Sequence, residues 1–216
     1  MTLKKKNWFF DLDGTLARTG EDIRLAWKGA IAALGLDLSR FDEVFTIGPT
    51  LEKLTRELYP DADDTVVDRL LSEFRPLYDE SGFPNTLPYP GVERMLSELK
   101  DAGAKIYIVT NKRHAPTRKL AAKFGWDRIF DGIWSYDTFN EKYKKGELLA
   151  RLLGELNADA SDSVMVGDTR GDIDAGRENA MLTVGLTYGY GTREELAEAD
   201  CIFENAEGLM HFALEA

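Results

Sequence analysis

The stretch Phe9-Phe10-Asp11-Leu12-Asp13-Gly14-Thr15-Leu16 decides how the rest of this chain is read. An apolar run, Trp8-Phe9-Phe10, leads into two carboxylates spaced two residues apart. A short run of this kind predicts a strand buried on both faces, as in a parallel sheet. Residues two apart on a strand point the same way, so Asp11 and Asp13 are expected to emerge together at its carboxyl end. Gly14 permits a sharp turn there, and Thr15 adds a hydroxyl. Ligands of open α/β sheets bind outside the carboxyl ends of the strands. Two like charges packed at such a place are costly unless a cation or a proton absorbs them. The pair suits a chemistry in which one carboxylate attacks phosphorus, the other moves protons and a metal ion screens both. Taken alone, Asp13-Gly14 also reads as ordinary turn chemistry closing a strand.

Composition narrows the partners. The chain has 216 residues, 44% hydrophobic and 30% charged, in the range of a globular protein with one sizeable core or a core plus an insert. No stretch is long and apolar enough to predict a membrane span. Lys4-Lys5-Lys6 lead straight into the first strand without the apolar region of a signal peptide. Cys201 is the single cysteine, so no disulfide forms within the chain. Beside Ile202 and Phe203 it is expected to act as a buried small hydrophobe, and the cytoplasm is the expected location. A net charge of -11 and a pI near 4.8 work against a nucleic-acid partner. They do not exclude a small phosphorylated metabolite, because a metal ion and a few cations can reverse the field inside one cleft. The chain is expected to be a monomer or a homodimer.

Outward from the first strand, placed at 5–10, the pattern is helical from Gly20 to about Gly82. Ile23, Ala26, Trp27, Ala30, Ile31 and Leu34 follow helical spacing up to Gly35. Thr50 is expected to cap a second helix bearing Leu51, Leu54, Leu58 and Tyr59, and Thr65 to start a third. The breaker-rich stretch 83–91 reads as a return linker. Helices and strands then alternate: helix 92–100, strand 105–109, helix 115–124, a short strand within 129–135, a Leu-striped helix around 148–156, strand 163–166, helix 171–179, strand 182–185, helix 193–199, strand 201–203 and helix 206–214. Such alternation predicts an α/β fold, a doubly wound parallel sheet with a Rossmann-like core. Residues 1–16 and 87–216 are expected to form that core, and 17–86 a small all-helical cap domain inserted after the first strand.

Three further segments fall at predicted strand ends. Thr110-Asn111 follows strand 105–109 and offers a hydroxyl and backbone N–H groups to phosphate oxygens. Charge on the equatorial oxygens of a phosphoryl transition state calls for a fixed ammonium, and the segment 140–147 offers Lys142, Lys144 and Lys145. Cations at a helix start oppose the helix dipole, which favours a functional reason for them. Val164-Met165-Val166-Gly167-Asp168 delivers a third carboxylate, and Asp172 follows four residues later. Hard cations want oxygen ligands, and Mg²⁺ commonly takes one or two carboxylates plus water and phosphate. Thr169 and Asp172 also fit a helix capping box.

These four segments, in this order, resemble the four motifs of the haloacid dehalogenase superfamily. The resemblance spans essentially the whole chain. Gly185-Leu186-Thr187-Tyr188-Gly189-Tyr190-Gly191 and Ile47-Gly48-Pro49 are similar to stretches of its phosphoglycolate phosphatase-like branch. By this resemblance Lys145 is the phosphoryl lysine, since Lys145-Gly146-Glu147-Leu148-Leu149 matches the Lys-x-Glu pattern, with Lys144 and Lys142 as substitutes. The resemblance implies a Mg²⁺-dependent phosphatase working through an aspartyl phosphate. Asp11 is then the nucleophile and Asp13 the acid–base group. Asp11, the Asp13 main-chain carbonyl, Asp168 and Asp172 serve the metal, and Thr15, Thr110 and Asn111 the substrate. Many branch members carry an acidic residue and a serine where this chain has Arg18 and Thr19. Arg18 is expected either to meet a substrate anion or to pair with Glu21 or Asp22. Lys53 and Arg56 on the second helix of the insert are expected to reach the cleft as further substrate contacts, although Arg56 equally suits a solvated pair with Glu52. A phosphomutase, a phosphonate or pyrophosphate hydrolase, or a non-catalytic binding protein are the alternatives. A phosphonate hydrolase of this superfamily usually lacks an acid at the position of Asp13.

Overall fold

A computed structural model describes residues 3–48, 51–139 and 141–214. The expected cap at Thr50, the Pro49 of Ile47-Gly48-Pro49 and Asn140 lie outside them. The chain divides into two compact units, Met1–Arg18 with Pro88–Ala216, and Thr19–Leu87. The first is the α/β core and the second the helical insert.

The core is built on strands β1 (Asn7–Phe10), β4 (Lys105–Thr110), β5 (Gly132–Ser135), β6 (Ser163–Gly167), β7 (Leu182–Leu186) and β8 (Cys201–Phe203). They form one parallel sheet in the order β5-β4-β1-β6-β7-β8. β1 is therefore central, with Phe10 opposite Ile108 on one side and Val166 on the other. Trp8, Phe9 and Phe10 are all fully buried, as a strand covered on both faces requires. Phe9 packs with Tyr107, Leu148, Leu152, Met165 and Ala175 on one side of the sheet. Phe10 meets Phe130 edge-on, ring centroids 6.4 Å apart.

Helices α5 (Val92–Asp101), α6 (His114–Lys123), α7 (Lys145–Glu155), α8 (Arg170–Glu178) and α9 (Ala206–Leu214) connect and cover the strands. Residues 193–199, expected to be helical, form turns instead. Their N–H groups bond three residues back, as from Leu196 to Arg193 O (3.2 Å) and Ala199 to Leu196 O (2.9 Å). Leu196 is fully buried, but Arg193, Glu194, Glu195 and Glu198 around it are polar, and so short a segment does not propagate a helix unaided. Cys201 is half-buried rather than buried.

In the insert, α1 (Gly20–Ala33), α2 (Phe41–Val44), α3 (Leu51–Leu58) and α4 (Asp64–Asp79) surround an aromatic centre. Trp27 of α1 lies 4.9 Å from Phe74 of α4, which stacks on Tyr78 at 5.5 Å. α4 starts one residue before Thr65: its cap is Asp63, whose carboxylate accepts the Val66 N–H at 2.9 Å. An ionised Asp at the N-cap satisfies an orphan amide and meets the helix dipole, an advantage Thr65 lacks. Two short strands, β2 (Ala17–Arg18) and β3 (Leu87–Pro88), mark where the chain leaves and re-enters the core.

Candidate active site

The site lies at the carboxyl ends of the central strands. Asp11 follows β1 and extends its ladder, its N–H bonding Val166 O at 3.0 Å. Beyond it the chain tightens: Leu16 and Ala17 both donate to Leu12 O, and Gly14 donates to Ala17 O, each at 3.0 Å. Asp13 therefore stands past the strand end, so strand alternation no longer sets its direction. Asp168 follows β6, and Asp172 sits in the first turn of α8. One carboxylate oxygen from each of Asp11, Asp168 and Asp172 lies within 4.8 Å of the others, and all three residues are buried.

Each carboxylate is held differently. Asp168 accepts from Thr15 Oγ1 at 2.9 Å and from the Tyr190 N–H at 2.7 Å. The Tyr188 hydroxyl donates to Thr15 O at 2.8 Å, fixing the residue that fixes Asp168. Asp172 divides its oxygens: Oδ2 accepts from Thr169 N (3.0 Å) and Oγ1 (2.8 Å), while Oδ1 receives Lys145 Nζ. The capping box and the site thus share one side chain. Lys145 Nζ also lies 2.9 Å from Asp11 Oδ1. The Lys145 ammonium is therefore shared between two carboxylates, and it is the cation that faces the buried Asp11 Oδ1.

Burial, followed by the neighbouring charge of Asp172 and Asp11, pushes the Asp168 carboxyl up to about 8. Burial likewise lifts Asp11 to about 6, against the opposing pull of Lys145. Burial works against the Lys145 ammonium, but Asp11 and Asp172 outweigh it and raise its pKa. Three carboxylates share one ammonium, so ionising all of them would leave two negative charges uncompensated in a buried space, and without a cation Asp168 holds its proton instead. That excess of carboxylate over ammonium and a donor set without histidine or cysteine fit a hard divalent cation. Backbone crowds Asp168 closely. At Gly14, whose φ is +84°, an added Cβ would fall 2.1 Å from Asp168 Oδ2, and at Gly191 2.0 Å from Asp168 O.

The other expected site residues are placed as follows. Thr110 ends β4, next to β1, and is buried; Asn111 is exposed. Lys145 is buried, whereas Lys142 and Lys144 are exposed. The Thr15 hydroxyl is committed to Asp168. Arg18 is exposed, and Asp22 is not its ion-pair partner in the way expected. Asp22 is buried and instead accepts from Asn85 N, Asn85 Nδ2 and Thr86 Oγ1 (2.6 Å), because donors from the return linker reach it inside the insert. Arg56 pairs with Asp64 across two helices at 2.5 Å rather than with Glu52 along its own, and Lys53 lies 3.9 Å from Glu57. Sequence reading missed Lys112, whose Nζ reaches both oxygens of Asp13 at 2.9 and 3.0 Å. Its signal was its position, directly after Thr110-Asn111 at a strand end facing an acidic pair.

The family described as haloacid dehalogenase-like hydrolase matches residues 8–186, which contain every element of this site up to Asp172 and Leu186. The chain belongs to that family. A 5'-nucleotidase of Pseudomonas aeruginosa is 29% identical over 197 residues, covering 90% of this chain and 88% of the relative. A phosphoglycolate phosphatase of Aquifex aeolicus is 32% identical over 182 residues, 84% of each chain. The crystal structure of a predicted phosphatase from Clostridium acetobutylicum superposes with a TM-score of 0.83 at 27% identity, covering 98% of this chain and 99% of that one. This hydrolase therefore has relatives, matched over most of their length, that carry more than one substrate name.

Proposed function

We propose that this hydrolase is a Mg²⁺-dependent phosphatase acting on a small phosphate monoester. The observation that carries the reading is Asp11, buried beside the single Lys145 ammonium and two further carboxylates, with Asp13 two residues on. Asp11 attacks phosphorus, the P–O bond to the alcohol breaks, and the leaving oxygen takes a proton from Asp13. Water then attacks the aspartyl phosphate and gives its proton to Asp13, and inorganic phosphate leaves with Asp11 restored. Lys145, Thr110 and Asn111 hold the phosphoryl oxygens. Mg²⁺ would be held by Asp11, Asp168, Asp172 and the Asp13 main-chain carbonyl, and it neutralises charge on the phosphoryl oxygens.

The relatives' names, phosphoglycolate phosphatase and 5'-nucleotidase, support a small phosphorylated metabolite as substrate. The insert serves as the cap that selects the alcohol, with Lys53 and Arg56 as its cationic contacts and Arg18, which directly precedes it in the chain, as a third. The test is phosphate release across a panel of phosphorylated metabolites. Release is expected with Mg²⁺, is abolished by chelator, and is lost in Asp11→Asn by roughly 10⁴-fold or more at an unchanged circular dichroism spectrum. Full activity in chelator, or in the variant, rejects the reading.

A further inference from the structure

One buried ion pair near the site stands apart from the carboxylate trio. The Lys112 ammonium spans both oxygens of Asp13, and the two side chains are only 6% and 16% exposed. Both ends of the pair are anchored. The Lys112 N–H bonds Thr110 Oγ1 at 3.2 Å, so the lysine starts from the end of β4. Asp13 sits in the loop closed by the Gly14 and Ala17 backbone bonds. Ordering a lysine side chain costs rotamer entropy. An exposed pair seldom offsets that, whereas a buried one interacts more strongly.

We propose that Lys112 is a positioning residue for proton transfer. It fixes the Asp13 carboxylate in the single orientation from which it meets the leaving oxygen and then the attacking water. The inference rests on the reading of Asp13 as the acid–base group. A carboxylate at the tip of a loop has several rotamers open to it, and an ammonium engaging both oxygens leaves one. Proton transfer needs the heavy atoms about 2.6–3.2 Å apart. A displacement of about 1 Å can cost about 10²-fold in rate. Were Lys112 instead a direct contact to the substrate, its loss would act on substrate affinity and would not depend on Asp13.

The experiment is a double-mutant cycle on the full chain with Mg²⁺, using Lys112→Met, Asp13→Asn and the double variant. Substrates are 4-nitrophenyl phosphate and the alkyl phosphate that the wild type hydrolyses fastest. Lys112→Met should lower kcat on the alkyl ester by about 10- to 100-fold, with KM little changed. The loss should be smaller on the aryl ester, whose leaving group needs little protonation. In the Asp13→Asn background Lys112→Met should cost nothing further. An equal loss in both backgrounds, or a loss carried by KM, overturns the proposal. The double variant leaves no buried charge unpaired, and Lys112→Gln, which keeps an N–H donor, carries the same cycle if Lys112→Met does not fold. A wild type inactive on every ester rejects the phosphatase reading itself. An unimpaired Asp13→Asn rejects the role of Asp13. Full activity of Lys112→Met and Lys112→Gln beside an impaired Asp13→Asn rejects only the role of Lys112.

Discussion

The core and the helical insert treat charge in opposite ways. In the insert, Arg24 and Lys28 pair with Asp42, Arg56 with Asp64 and Lys53 with Glu57, and every one of these side chains is at least 36% exposed. Such pairs contribute about 0–1 kcal/mol each. In the core, Asp11, Asp168, Asp172 and Lys145 are each at most 7% exposed, and their charges do not cancel. Asp22 makes the contrast sharper. It too is buried, but the return linker supplies it with backbone and side-chain donors. Burial of a carboxylate is thus not the functional mark; burial against other carboxylates that share too few cations, as at Asp11, is.

The largest expected effect tests the carboxylate cluster. Asp168→Asn should lose more than about 100-fold in turnover, the upper range seen for altering even an outer partner of a metal ligand. Mg²⁺ should raise the melting temperature of the wild type, since a ligand bound only by the native state stabilises it. Thermal melts with Mg²⁺ and with chelator should coincide for the variant. The same Mg²⁺-dependent rise in both proteins would remove Asp168 from the metal site.

The next effect is one of stability. Asp22→Ala strands the donors of Asn85 and Thr86 inside the insert and should cost about 2–4 kcal/mol in urea unfolding. Because Asp22 has no part in the chemistry, the natively folded variant should keep its rate on 4-nitrophenyl phosphate. A stability loss below about 0.5 kcal/mol, the range of plain surface changes, would erase the contrast drawn between the two buried carboxylate types.

The smallest effect belongs to the exposed cations. Lys53→Ala with Arg56→Ala should change stability by no more than about 0.5 kcal/mol per site. As proposed substrate contacts they should reorder rates among natural esters while sparing 4-nitrophenyl phosphate. An unchanged order would exclude them from recognition.

How much of this was legible in the sequence differed between the two regions. The apolar runs at Trp8, Ile106 and Val164 announced central parallel strands, because burial on both faces demands unbroken hydrophobicity. The carboxylates at their ends were legible for the same reason: strand ends fix position. Asp13 was harder, since its direction follows from the Leu12–Ala17 loop and from a lysine 99 residues away. Arg56 meets Asp64, and Asp22 its donors from Asn85 and Thr86, only through tertiary packing, so the pairs expected from nearby sequence, Arg56 with Glu52 and Arg18 with Asp22, were the wrong ones. The turns at 193–199 failed through length: one buried leucine does not sustain a helix among charges.

The central place of β1 has a consequence for how this protein is made. Trp8-Phe9-Phe10 pairs with segments about 100 and 156 residues later in the chain. At bacterial-to-eukaryotic elongation rates of about 5–20 residues per second, roughly 8–30 seconds pass before the second partner is synthesised. Throughout that interval the most apolar segment of the core lacks at least one of its two neighbouring strands. The helical insert, complete by Leu87 and built on contacts within itself, has no such wait. Nascent chains stalled between residues 90 and 160 should therefore engage chaperones through their amino-terminal segment, and release them once Val166 has cleared the exit tunnel.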